Sequence, residues 1–390
     1  MLMELTRFRV YFAGICSLIV TVGVARFSYS LLLPVMQQEA GLSELGGGWL
    51  ATTNFMGYMA GVLLASNLHN LYYKYHLLRI YLILSVATSL AMLMTTDIVV
   101  WALLRFIAGA CASGGFIIAS GLILKWLVKH GHRAELGIHF AGAGISIIAI
   151  SVLIELMLAV CASWQQQWLA LAVMAAIFSI PSWVWIPHPM VDGENTTSVK
   201  DSPPSRRFTT LIMLAYFCAG YGYAVSSTFI VAIVERTDGL AGQGNIAFLL
   251  IGVAAMPAAL VWDTIARNIG YLPALLAAYI LQIIGIILPV INGSLPVVLL
   301  SALLFGGTFI ACVSLVLTMA GRFFPTNPAR FMGVMTLAYG AAQIIAPILT
   351  SYLSNTFGHY SFGLYVSTGV MCMGAFFLLI LLRLERSSEL

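Results

Sequence analysis

Twelve separate stretches of this chain are each long and apolar enough to cross a bilayer as a helix, and this repetition limits the possible folds most. They lie at approximately 8–36, 47–67, 77–95, 98–124, 134–160, 168–187, 208–234, 244–263, 271–291, 296–320, 330–353 and 361–382. A spanning helix needs about 20 largely apolar residues. In hydrocarbon, backbone N–H and C=O groups must be bonded within the protein, which leaves helices and closed barrels. Barrel strands alternate apolar and polar residues, whereas these stretches are apolar throughout. The chain is therefore expected to be all-α and embedded in lipid. Its charge content fits: 8% of 390 residues are charged, against roughly 25% in soluble domains.

The connections alternate in charge. On the side of the N-terminus they carry Arg7, Arg9, Lys74, Arg79, Lys125, Lys129, Arg133, Lys200, Arg206, Arg207, Arg267, Arg322, Arg330, Arg383 and Arg386. The other side has a single basic residue, Arg236, with Glu39, Glu44, Asp97, Glu235 and Asp238. Basic residues accumulate on the cytoplasmic side of membrane proteins. Both termini are thus expected in the cytoplasm, with the chain in a bacterial inner membrane. The even number of crossings independently puts both termini on one side. The stretch after Arg7 and Arg9 is too long for a cleaved leader and reads as a retained first helix.

The longest interruption, 188–207, is rich in Pro, Ser, Thr and charge and cannot span a bilayer. It separates residues 1–187 from 208–390, six stretches each. The halves echo one another. RFIAGACASGG (105–115) sits where ALLFGGTFIAC (302–312) sits in the second half, and HRAELG (132–137) corresponds to ARFMG (329–333). Two pseudo-symmetric six-helix bundles with a substrate site at their interface are a transporter architecture.

Enzyme chemistry finds no foothold. The sequence has no P-loop, which argues against an ATP-driven pump, and no G-x-S-x-G elbow or H-E-x-x-H. It has no basic nucleic-acid face. The six cysteines are scattered and read as packing residues, so neither a metal nor a cofactor is expected.

Charges deep in a membrane helix need a partner or a function. Three stand well inside their stretches: Arg26, Arg105 and Glu155. At ~1.5 Å per residue they lie ~6, ~9 and ~12 Å outward of their helix midpoints. Their similar depth suggests that they meet. In the functional reading the two arginines hold an anionic substrate and Glu155 is a titratable coupling group. In the structural reading Glu155 only neutralises one arginine. Polar residues extend the pattern at helical spacing. Tyr29 shares a face with Arg26, Asn54 with Tyr58 and Gly61, Tyr216 with Tyr223, and Tyr339 with Gln343. Interhelical hydrogen bonding is the plainer account of these.

Local motifs carry a resemblance. Arg105-x-x-x-Gly109 with Gly114-Gly115 is similar to the fourth-helix motif of the major facilitator superfamily. The run from Val24 to Gly61, VARFSYSLLLPVMQQEAGLSELGGGWLATTNFMGYMAG, resembles the start of its YbfB/YjiJ-like branch, as does GYGYAVSSTFI (220–230). The resemblance implies that helices one and four line a central cavity and that helix five neighbours helix one. It also implies a gate loop after helix eight, where WDTIARNIG (262–270) keeps Asp263 and Arg267. The equivalent loop after helix two, GVLLASNLHNLYYKYH (61–76), lacks an acidic residue.

The expectation is a monomeric secondary transporter of a small organic solute, anionic and proton-coupled, working by alternating access. Its candidate site residues are Arg26, Tyr29, Asn54, Tyr58, Arg105, Glu155, Tyr223 and Gln343, with Asp263 and Arg267 at the gate. A broad-specificity efflux pump for drugs or metabolites is the main alternative, and a polytopic enzyme or sensor a more distant one. The charge asymmetry predicts that a cysteine introduced at Ser198, in a cysteine-free background, reacts with an impermeant maleimide only after permeabilisation. Labelling from outside intact cells would invert the topology.

Overall fold

The computed structural model describes residues 6–68, 70–132, 137–189, 203–324 and 328–388. No strand occurs among them. Twelve helices do: α1 (Arg7–Glu39), α2 (Glu44–Asn67), α3 (Leu71–Met92), α4 (Ile98–Lys129), α5 (Gly137–Ala159), α6 (Trp164–Trp185), α7 (Arg206–Glu235), α8 (Gly244–Ile269), α9 (Tyr271–Ile291), α10 (Leu295–Phe323), α11 (Pro328–Phe357) and α12 (Ser361–Ser388). The central part of the expected linker, 190–202, and loop residues 133–136 lie outside the described residues.

Eleven of the helices are long and apolar enough to cross a membrane. The exception is α2, which opens on Glu44 and Gly46-Gly47-Gly48 and carries Thr52, Thr53 and Asn54. Its polarity follows from its place: α2 packs between α4 and α11. Against α4 the backbones nearly touch. A Cβ added at Gly57 would collide with Phe106 O, and one at Gly109 with Asn54 O. Such contact through small residues is how membrane helices gain packing without a hydrophobic driving force between them.

Burial separates centre from periphery. In their most apolar windows α7 is 94% buried and α1 78%, while α6 is 28% buried. The outer helices turn Leu169, Val173, Ile177 and Ile180 of α6, and Ile80 and Ile83 of α3, outward. An apolar exterior on an all-helical body suits lipid. Helix starts are capped where the chain leaves the apolar zone. Asp97 Oδ1 accepts from Val99 and Val100 N–H at α4, and Ser163 and Gln166 form a reciprocal cap at α6.

α1 packs on α4, α5, α6 and α7. The pairs α5 with α8 and α2 with α11 are equally extensive. Arg79 of α3 reaches Trp183 of α6, and Arg9 lies over Trp185, so the chain's N-terminal face collects these helix ends. The opposite face holds Glu44, Arg236 and Ser354 together.

Candidate functional site

Residues 19–27 of α1 leave the α-helical ladder. Ile19–Phe27 winds as a π-helix, and the N–H of Ser28 that ends it reaches five residues back to Gly23 O. Wide turns of this kind are frequent at functional sites. The run is rich in residues branched at Cβ, which crowd an α-helical turn: Ile19, Val20, Thr21, Val22 and Val24. Where a wide turn meets α-helix, the N–H ladder passes over a carbonyl, which needs another donor.

At Val24 O that donor is the hydroxyl of Ser28, and Arg105 of α4 adds donors to the next two carbonyls. Its Nη1 donates to Ala25 O at 3.1 Å and its Nη2 to Arg26 O at 3.3 Å. Asn54 of α2 ties the same point, donating through Nδ2 to Arg105 O at 2.8 Å and to Ala25 O at 3.5 Å. Tyr29 completes the knot. Its ring centre is 4.6 Å from Arg105 Cζ, and its hydroxyl donates to Gly47 O at 2.9 Å. Three expected site residues, Tyr29, Asn54 and Arg105, thus form one network that holds α1 against α2 and α4.

Arg26 is placed differently. Its Cζ lies 4.4 Å from the ring centre of Tyr58, 5.0 Å from Phe55, 5.1 Å from Tyr223 and 5.6 Å from Phe27. Each desolvated cation–ring contact contributes about 0.5–2 kcal/mol, so the cage offsets part of the lost hydration. Its Nη2 is buried with no hydrogen-bond partner. Among the described residues no carboxylate pairs with Arg26 or Arg105. A cavity of about 20 Å³ adjoins both arginines, bounded also by Ser30 and Ser227. That is room for roughly one water. Ser30 Oγ donates to Ser227 O at 2.6 Å, closing α1 on α7.

From Tyr223 the rings continue. Its centre is 5.2 Å from Phe309, 6.0 Å from Tyr339 and 6.3 Å from Phe305, and Tyr339 is 4.6 Å from Tyr216. Gln343 is buried one turn beyond Tyr339 on α11. Phe55, Phe305 and Phe309 were not singled out by the sequence. Their signal was the one-turn spacing of Phe305 and Phe309 within the segment that echoes the first half.

The expectation that three deep charges meet is corrected. Glu155 pairs with neither arginine: its Oε2 accepts from Asn245 Nδ2 of α8, and Asn245 Nδ2 also donates to Ser151 O at 3.0 Å. Glu155 is exposed and stands one turn from the end of α5. Depth along a helix says nothing about the direction a side chain takes around it, and Glu155 faces α8. Asp263 and Arg267 do meet, as an ion pair at 2.7 Å, with Tyr271 donating to Asp263 at 3.4 Å. His139, in the first turn of α5, is fully buried with neither ring nitrogen bonded, packed beside Gly14 and Phe116.

The face opposite the N-terminus is closed by a polar latch. Arg236 pairs with Glu44 and donates through Nη2 to Gln37 at 3.1 Å. Its Cζ is 5.0 Å from the Tyr360 ring centre, and Ser354 donates to Glu44. Helices α1, α2, α7 and α11 converge there. On the N-terminal face, α4 and α5 have no more than glancing contact with α10 and α11.

Residues 18–379 match the family described as "Uncharacterised MFS-type transporter YbfB". The chain belongs to that family. Membership makes it a major facilitator transporter and not an enzyme, and its substrate a small molecule. No curated protein matches the chain. Solved structures share the fold, two of them at 10% identity. A point mutant of the nucleoside transporter NupG has a TM-score of 0.75, over 96% of this chain and 99% of that one. A second structure of NupG has a TM-score of 0.70, over 96% and 98%.

In this transporter the two arginines should respond differently to substitution. Arg105→Lys offers one ammonium where two nitrogens now meet two carbonyls, and is expected to lose about 1.5–3 kcal/mol of stability. Arg26→Met removes a buried charge that holds no backbone group and is expected to be neutral or stabilising. Melting curves in detergent check this. Equal losses in both variants would show that Arg105 has no special hold on α1.

Proposed function

We propose that this transporter moves a small organic anion across the bacterial inner membrane together with protons. Two bundles, 1–187 and 208–390, rock about the central site, joined by a cytoplasmic linker at 188–207, with both termini in the cytoplasm. The observation that carries the reading is Arg26. It is a guanidinium caged by rings from both halves, with a buried unpartnered nitrogen and no carboxylate beside it. An anion would supply the missing counter-charge, and a planar fork grips a carboxylate through two bonds. The α1–α7, α2–α11 and α5–α8 contacts support two bundles, since helices two and five of each half exchange roles between the last two pairs. The site is assembled within one chain, so a monomer suffices.

Glu155 is the candidate for proton coupling. Ionised, it accepts from Asn245. The other atom of that amide, Oδ1, is buried and unpartnered. A protonated Glu155 could donate to it, so the pair can accommodate both charge states. A nucleoside is the second reading, favoured by the aromatic rings on which a base could stack and by the likeness to NupG. It leaves Arg26 without a counter-charge. A drug-efflux role for cations fits less well, because rings that would hold a cation already enclose Arg26.

Reconstituted protein screened with small organic anions at two pH values tests the function. Accumulation should follow an inward proton gradient. Arg26→Lys should lower affinity by about tenfold or more, an ammonium lacking the fork. Normal transport by that variant would remove the bidentate role. Glu155→Gln mimics the protonated acid: substrate counterflow should survive while accumulation driven by pH is lost. Intact pH-driven accumulation in this variant would take Glu155 out of the mechanism.

A further inference from the structure

Arg26 does not stand alone at the centre. The hydroxyl-bearing rings of Tyr58, Tyr223, Tyr339 and Tyr216 belong to the same cluster. The ring centres of Tyr58 and Tyr223 lie 4.4 and 5.1 Å from Arg26 Cζ, and Tyr339 stacks 6.0 Å from Tyr223 and 4.6 Å from Tyr216. Groups able to donate therefore converge from α1, α2, α7 and α11. A buried donor without an acceptor is costly, and Arg26 Nη2 is one, so the substrate should bring an acceptor of its own.

Charge limits that substrate to one negative group. Arg105 also adjoins the cavity, but both its terminal nitrogens are on backbone carbonyls of α1. Only Arg26 presents an unbonded terminal nitrogen. A second carboxylate would enter low dielectric without a partner.

Ring geometry sets its shape. Tyr223, Phe305, Phe309, Tyr339 and Tyr216 form a continuous stack from three helices, and Tyr58 and Phe55 cover Arg26 from the first half. The space beside Arg26 holds about one water in this closed arrangement. A body that enters as the halves part must be flat to slide between facing rings.

We infer that the transported anion is an aromatic monocarboxylate, with its carboxylate on Arg26 and its ring between Tyr58 and the Tyr223, Phe309 and Tyr339 stack. This rests on the anion-transport reading above and adds the charge number and the planar body.

The test is binding and counterflow with the full-length protein in proteoliposomes, comparing benzoate, cyclohexanecarboxylate, phthalate, benzamide and adenosine. Benzoate should bind about fivefold or more tighter than cyclohexanecarboxylate, which has the same charge without the flat ring. Phthalate, with two charges, and uncharged benzamide should each bind at least about tenfold more weakly than benzoate. Phe309→Leu and Tyr339→Leu keep apolar bulk and should bring benzoate down to the level of cyclohexanecarboxylate. Cyclohexanecarboxylate binding as well as benzoate would overturn the aromatic inference and leave anion transport standing. Phthalate binding as tightly as benzoate would overturn the single charge alone. Benzamide or adenosine binding better than every carboxylate, or no carboxylate binding at all, would overturn both.

Discussion

The hydrogen bonds from Arg105 to the carbonyls of Ala25 and Arg26 organise the centre of this transporter. In a bilayer interior a carbonyl passed over by its own helix has no water to turn to. The π-helical run in α1 passes over Val24 O, which takes the Ser28 hydroxyl, and the guanidinium of Arg105 bridges the next two carbonyls because its donors are fixed in a fork. One arginine is thereby committed to the backbone. The same wide turn sets where the next side chain, Arg26, emerges, and it emerges among the rings between the halves. Asn54 adds a bond from α2 and Tyr29 adds one from α1 to α2, so three helices agree on one position for Arg26.

A buried charge is commonly answered by an opposite charge. Here four aromatic rings surround Arg26 instead. The difference matters for a carrier. A resident carboxylate would compete with an anionic substrate for every donor, and its displacement would leave a second buried charge unpaired. Ring faces stabilise the cation moderately and can part without leaving a charge behind. On the proposed reading, the cage keeps the empty site tolerable while leaving the fork open to exchange.

Much of the fold was legible in the sequence because apolar length is a one-dimensional property. The stretch at 271–291 coincides with α9, and the others differ mainly at their ends. α3 begins at Leu71, ahead of the apolar stretch at 77, because the helical ladder continues through polar residues beyond the lipid. The site was legible in part. Arg26, Tyr58 and Tyr223 do come together, since a charge inside a membrane stretch is rare enough to stand out. The role of Arg105 was hidden because the π-helix of α1 has only a weak signature, its branched residues being ordinary in membrane helices. The partner of Glu155 was hidden for another reason. Rise per residue gives depth, but the facing helix depends on rotation and on how the halves pack. Asn245, at the start of α8, has no periodic signal that would have named it.

The α5–α8 pair relates the site to the exposed polar contacts. Its backbones approach most closely in mid-helix, where a Cβ at Gly144 would collide with Met256 N and one at Gly252 would stand 3.0 Å from Gly144 O. Helices that touch this closely can tilt about the contact more readily than they can slide or separate. Glu155 lies eleven residues along from Gly144, about 16 Å at the α-helical rise. If the halves rock on this fulcrum, as proposed, a small tilt there becomes a large displacement between Glu155 and Asn245. The latch of Arg236, Glu44 and Gln37 is also exposed and distant from the fulcrum. Exposed ion pairs are individually worth about 1 kcal/mol or less, so the latch can break and re-form at little cost. The charge state of one carboxylate at the far end of this lever could then bias which arrangement of the halves is populated.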